Sequence, residues 1–127
     1  MSQSLNDSKP LYLQIKDKIA DQIITGQLKE HNQIPSTTQM VQFYKLNHIT
    51  VSKGINILVD DGILYKKRGV GIFVAPGAKK KLSEQGKEIF ADRYVLPMLR
   101  EADKLGLSDG ELLRILRKIK GDNFGES

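Results

Sequence analysis

Leu11, Ile15, Ile19 and Ile23 recur at four-residue steps, flanked by Tyr12 and Ile24. This spacing predicts a helix with one apolar stripe. Pro10 fits its first turn, where a missing N–H costs nothing, and Gly26 marks its end. Leu28 to Ile34, which contains His31 and Asn32, shows no strong periodicity and reads as a connection.

A second helix is predicted from Pro35-Ser36-Thr37-Thr38-Gln39, because Ser36 and Gln39 have capping-box spacing. Met40, Val41 and Phe43 are its expected apolar face, and it stops by Tyr44 or Lys45. Only Leu46 and Asn47 precede the next pattern. Asn47 is a good N-cap for a third helix whose stripe is Val51, Ile55, Leu58 and Val59, closed by Gly62. Two β-prone runs follow, Ile63 to Lys67 and Ile72 to Val74. Arg68-Gly69-Val70-Gly71 lies between them, which predicts a hairpin. Pro76-Gly77 ends this unit, and Lys79-Lys80-Lys81 reads as a short basic linker.

Leu82 to Lys120 is helical in pattern. Ile89, Phe90, Tyr94, Val95, Leu96, Met98, Leu99, Ala102 and Leu105 spread around much of the circumference. Pro97 within this stretch predicts a kink. Ser108 and Glu111 form a second capping box. Leu112, Leu113, Ile115, Leu116 and Ile119 then build a last helix, expected to end at Gly121 before a polar tail from Asn123 to Ser127.

Helix, helix, two-residue turn, helix and hairpin is the element order of a winged helix-turn-helix. The expected fold is mainly α with a small β-hairpin wing, an α+β arrangement followed by a short helical tail. The domain reading is a winged helix-turn-helix over residues 1–77 and a short helical domain over 78–127.

The 127 residues carry 20 Lys+Arg against 15 Asp+Glu, a net charge of +5 that favours an anionic partner. Cysteine is absent, which excludes disulfides, thiol nucleophiles and Cys-based zinc sites. His31 and His48 stand far apart without ligand spacing, so no metal site is expected. No acid, base or nucleophile cluster points to an enzyme, and no cofactor is implied. Gly69-Val70-Gly71 leads into a strand and not a helix, unlike a phosphate-binding loop. No apolar run approaches the roughly 18 residues of a membrane span. Met1 to Lys9 is polar, unlike a signal peptide. The expected compartment is the cytoplasm.

The third helix has two sides. Val51, Ile55, Leu58 and Val59 face a core, while Ile49, Ser52, Lys53 and Asn56, with His48 and Thr50 near the start, are offered outward. Such groups can reach base edges or phosphates in a major groove. From Gly62 to Ser83 there is no acidic residue, while Lys66, Lys67, Arg68, Lys79, Lys80 and Lys81 are all cationic. Arg68 beside Gly69 at a narrow tip suits a minor groove and its phosphates. The bland counterpart of each is a solvated polar surface.

The apolar tail either packs back on the winged helix or pairs with a second chain. Pairing is the reading taken here, because a helix that is apolar around most of its circumference needs cover on more than one side. Phe90, Tyr94, Val95, Leu96, Met98, Leu99, Leu112 and Leu116 are its candidate interface.

These residues carry a family resemblance. The motifs run from Pro10-Leu11-Tyr12-Leu13-Gln14-Ile15 through Gly26-Gln27-Leu28, Ile34-Pro35-Ser36 and Thr50-Val51-Ser52-Lys53. They continue with Leu58-Val59-Asp60-Asp61-Gly62 and Arg68-Gly69-Val70-Gly71-Ile72-Phe73-Val74. Residues 10–75 resemble the DNA-binding domain of GntR-family bacterial transcription regulators. Tyr94-Val95-Leu96-Pro97, Glu101-Ala102, Leu105-Gly106-Leu107-Ser108 and Glu111-Leu112-Leu113 resemble the short tail of the YtrA subgroup.

The resemblance implies a dimeric regulator of double-stranded DNA, read here as a repressor acting on a palindromic operator, with an ABC-transporter operon as its target. The family's acidic-basic pair after Pro-Ser is Thr37-Thr38 here, so beside Ser36 only the Thr38 hydroxyl replaces its arginine. Asn47-His48 stand where Ser-Arg is common. Thr50 and Lys53 match family positions, and Arg68 and Gly69 match the wing tip, with Lys66 nearby. Two arginines are therefore missing, and the operator is expected to differ from the family's usual one. Gly54 replaces a usual alanine, which predicts a helix weakened by about 1 kcal/mol. The tail has no room for the ligand-binding domain most relatives carry, so a small-molecule effector is not expected. The alternative function is a winged-helix protein-interaction module with an oligomerising tail.

Overall fold

The computed structural model describes residues 8–124. Most of the polar N-terminal stretch read above, residues 1–7, and the end of the polar tail, residues 125–127, lie outside the described residues. In chain order the elements are α1 (Leu11–Ile24), α2 (Thr37–Tyr44), α3 (His48–Asp60), β1 (Leu64–Lys67), β2 (Gly71–Val74) and α4 (Ala78–Phe90). A π-helical turn (Ala91–Val95), α5 (Leu96–Lys104) and α6 (Asp109–Phe124) follow. The chain divides into two compact units, the first ending at Gln85 and the second beginning at Gly86.

Local chemistry sets the ends of the first three helices. The carbonyl of Pro10 accepts from the N–H groups of Leu13 and Gln14 and starts α1. At α2 the capping box is complete: Ser36 Oγ accepts from the Gln39 N–H at 3.1 Å, and Gln39 Oε1 accepts from the Ser36 N–H at 2.8 Å. Lys45, in a left-handed conformation with φ 57°, ends α2. Asn47 Oδ1 then accepts from the Thr50 N–H at 2.7 Å and starts α3.

The core of the first unit gathers Ile15, Ile19 and Ile23 of α1, Met40 of α2, and Val51, Ile55 and Leu58 of α3. Phe43 does not join it. Its side chain is 59% exposed, because α2 turns Met40 and not Phe43 toward the core. The hairpin pairs Leu64 with Val74, Tyr65 with Phe73, Lys66 with Ile72 and Lys67 with Gly71, and buries Ile63, Leu64 and Val74.

The segment before α2 and the basic run after the hairpin also depart from the sequence reading. The connection before α2 lies along β2. His31 N–H donates to Val74 C=O at 2.7 Å, Val74 N–H to Asn32 C=O at 2.9 Å and Ile34 N–H to Ile72 C=O at 2.9 Å. The supposed linker at Lys79-Lys80-Lys81 is the first turn of α4. Ala78 and Leu82, four residues apart on one face, are both buried in the same core, while Lys81 donates to the carbonyl of Asp61.

In the second unit Pro97 sits in the first turn of α5, directly after the π-helical turn. The proline, which cannot donate to the ladder, thus follows a widened turn in the stretch where a kink is expected. Ser108 and Glu111 close their capping box, at 3.1 and 2.9 Å. The helix they start, α6, continues past Gly121 to Phe124, since glycine weakens a helix interior without ending it. Among the described residues of this unit only Ala102 is buried.

Candidate nucleic-acid interface

Two residues, Leu46 and Asn47, and the left-handed Lys45 turn the chain from α2 into α3. With Val51, Ile55 and Leu58 facing the core, the opposite side of α3 is open. His48, Ile49, Ser52 and Lys53 line a shallow depression there together with Asn56, Ile57 and Asp60. The polar members are held in place. His48 Nδ1 and Ser52 Oγ are 3.4 Å apart. The Lys53 ammonium lies over the Tyr12 ring of α1, 4.1 Å from its centroid. Lys66 Nζ of β1 donates to Asn56 Oδ1 at 2.9 Å, which ties the wing to α3. Ile49, by contrast, is 79% exposed.

The wing is buttressed from below. Gln33 Nε2 donates to the carbonyl of Val70 at 3.0 Å. Gly71 has φ 150°, a backbone conformation that side chains rarely adopt, and a Cβ there would also push aside the Gln33 amide. Tyr65 and Phe73 stack across the hairpin with ring centroids 5.6 Å apart, and Lys67 Nζ lies 5.3 Å from the Phe73 centroid. Arg68 and Gly69 occupy the exposed tip. Tyr65 is held in turn, its hydroxyl 2.9 Å from His31 Nδ1.

The structure therefore brings together His48, Ile49, Ser52 and Lys53, and links them to the wing through Lys66. Ser36 and Asn47 act as helix caps, with Ser36 Oγ and Asn47 Oδ1 occupied by backbone N–H groups. Thr38 is exposed on the first turn of α2, and Thr50 is half-buried at the start of α3. Tyr12 and Gln33 were missed as members of the site. The helical stripe that placed Tyr12 beside a core carries no sign of a ring under Lys53, and Gln33 lies where no periodicity exists.

Of the candidate interface residues in the second unit, Phe90, Tyr94, Leu96, Leu99 and Leu116 are exposed, and Val95, Met98 and Leu112 are half-buried. The rings of Phe90 and Tyr94 lie 6.0 Å apart across the π-helical turn.

The family of bacterial regulatory proteins called gntR matches residues 11–74, half of the chain and nearly all of the helix-turn-helix and wing. The chain belongs to the GntR family. Its relatives are transcription regulators, repressors among them, and not enzymes. This GntR regulator is 35% identical over 66 residues to the histidine utilization repressor of Pseudomonas aeruginosa, covering 52% of this chain but only 26% of that one. The chain thus spans about a quarter of that relative's length. The HTH-type transcriptional repressor YtrA of Bacillus subtilis is 27% identical over 93% of this chain and 90% of its own.

Among solved structures, a GntR-family transcriptional regulator from Bacteroides thetaiotaomicron aligns with a TM-score of 0.73 at 35% identity. The alignment covers 89% of this chain and 99% of that one. The DNA-binding domain of AraR, solved in complex with operator ORE1, aligns with a TM-score of 0.53 at 32% identity over 57% of this chain and 90% of that one. The winged helix of this GntR regulator is thus of a kind that binds DNA. No helix among its described residues is long and apolar enough to cross a membrane.

Proposed function

We propose that this chain is a homodimeric transcription repressor that recognises a palindromic operator, with the first unit as DNA-binding head and the second as dimerisation domain. One observation carries the reading. The outer face of α3, with His48, Ile49, Ser52 and Lys53, is open and bonded through Asn56 and Lys66 to a basic wing. In this reading α3 enters a major groove while Arg68 reaches an adjacent minor groove or its phosphates. Lys66, Lys67, Lys79 and Lys80, all exposed, supply sequence-independent affinity to phosphate. The operator-bound AraR domain, built on the same winged helix, supports this docking.

Dimerisation rests on the second unit. Phe90, Tyr94, Leu96, Leu99 and Leu116 leave apolar surface exposed in one copy of the chain. A second copy covers that surface and sets two heads at a fixed spacing, as a two-half-site operator requires. Likeness to YtrA over nearly the whole chain, tail included, supports a repressor of that short-tailed kind, with a transporter operon as the proposed target.

Selection of duplex DNA from a random pool by the purified protein tests the reading. Enrichment of an inverted repeat, with affinity falling steeply as salt rises, is the expected result. Failure to enrich any sequence, with weak salt-insensitive binding, would remove it.

A further inference from the structure

The recognition face of α3 is polar in composition, yet its polar side chains are largely engaged. Lys53 lies over the Tyr12 ring, His48 and Ser52 face one another, and Asn56 Oδ1 is taken by Lys66. What stands out from this face is a hydrocarbon, Ile49, at 79% exposure. Two residues at about 100° each place it about 200° round the helix from Val51, which is wholly buried. Ile49 therefore points directly away from the core.

A lone exposed apolar side chain is ordinary on a protein surface. Ile49 differs in its place, the second residue after the Asn47 cap of α3, on the turn that enters a major groove first in a helix-turn-helix. Its branched Cβ holds few rotamers in a helix, so little freedom is lost when it is ordered. Within the major groove the base edges offer hydrogen-bonding groups and a single kind of hydrocarbon, the C5-methyl of thymine. An aliphatic side chain gains nothing from the former and buries surface against the latter.

We propose that Ile49 is a specificity-determining residue that reads the C5-methyl group of a thymine in each half-site, an inference that rests on the DNA-binding reading above. The contact selects thymine over cytosine at one position without a hydrogen bond. It also supplies base discrimination to a recognition helix whose neighbouring polar groups, His48 and Ser52, face one another.

The test uses the full-length protein and the duplex it selects. Each thymine is replaced in turn by deoxyuridine, which removes the methyl group and leaves every hydrogen bond. One thymine per half-site should show a loss of about fourfold, the worth of one buried methyl-sized group, and the others none. Ile49→Ala should bind the thymine duplex more weakly and no longer distinguish deoxyuridine at that position, whereas Ile49→Val should keep the distinction. Because Ile49 lies outside the core, its variants should fold, and circular dichroism checks this. If no thymine is sensitive to demethylation, or if the sensitivity persists in Ile49→Ala, the inference fails while DNA binding stands. If no duplex is selected at all, both the inference and the DNA-binding reading fall.

Discussion

A Cβ placed on Gly54 of α3 would stand 2.6 Å from the carbonyl oxygen of Tyr12 in α1, with Ile15 carbons at 3.1 Å. The two helices cross so closely that only hydrogen fits between them. Helix propensity alone expects alanine to strengthen α3 by about 1 kcal/mol. The packing reverses the sign. A backbone oxygen cannot swing aside as a side chain does, so the helices must separate, and overpacking of this kind costs about 1–3 kcal/mol. Gly54→Ala is therefore expected to lower the melting temperature by several degrees. An unchanged or raised value in a thermal melt would show that α1 can retreat without loss.

The same contact marks where sequence is a poor guide. The capping box at Ser36 and Gln39 and the Asn47 cap were legible because each is settled within four residues. So was the open face of α3, since Val51, Ile55 and Leu58 repeat at helical spacing. The role of Gly54 depends on a helix some forty positions earlier, and no local pattern announces it. At Lys79-Lys80-Lys81 the charge run concealed a shorter signal, the four-residue spacing of Ala78 and Leu82. The strand-like path of His31 to Ile34 is imposed by β2, through bonds to Ile72 and Val74, in a segment whose own residues have no alternation. Phe43 misled in the opposite direction: its hydrophobicity promised burial that the rotation of α2 withholds.

Arg68 is exposed at the wing tip, beside Gly69 and Val70. Arg68→Ala is expected to weaken binding to the selected operator by about 1–3 kcal/mol if the guanidinium reaches bases or a narrow minor groove. Contact with phosphate alone has a different signature, an equal loss on random DNA and a salt slope lower by about one. Titrations on both duplexes at several salt concentrations separate these outcomes. Affinity unchanged on both duplexes would take the wing tip out of recognition.

Asp21 on α1 offers a test of stability against pH. Burial raises its carboxyl above the ordinary carboxylate value, Asp17 adds to the effect, and Lys18 and Lys9 oppose it. The folded chain therefore holds this proton more readily than the unfolded chain does. That linkage makes the ionised carboxylate a cost at neutral pH, a cost that fades as pH falls through the folded-state value. Asp21→Asn is expected to melt at a higher temperature than the parent at pH 7 and at the same temperature near pH 3. Identical melting at pH 7 would mean that the carboxylate is solvated well enough to escape the penalty.

The division of labour between the two units gives the most decisive test. Core residues of the first unit run as far as Leu82, so a chain ending after Gln85 keeps all of them. Ending the chain after Gly77 instead removes Ala78 and Leu82, and the loss of a buried leucine side chain alone costs about 2–5 kcal/mol. The longer fragment should fold, sediment as a monomer and retain weak, salt-sensitive binding to any duplex. On the two-half-site operator it should bind about 10²–10⁴-fold less tightly than the full chain, which makes its second contact intramolecularly. Leu96→Asp probes the same surface without touching the head. This side chain is 42% exposed in the single chain, so an aspartate there is tolerated by the monomer. In a dimer that buries the position the same carboxylate would lose its hydration without a partner and drive the copies apart. Sedimentation of both proteins, beside operator titrations, reads the outcome. A fragment that remains dimeric would move the interface into the winged helix. A Leu96→Asp chain that dimerises at the parental concentration would clear this part of the second unit of any pairing role.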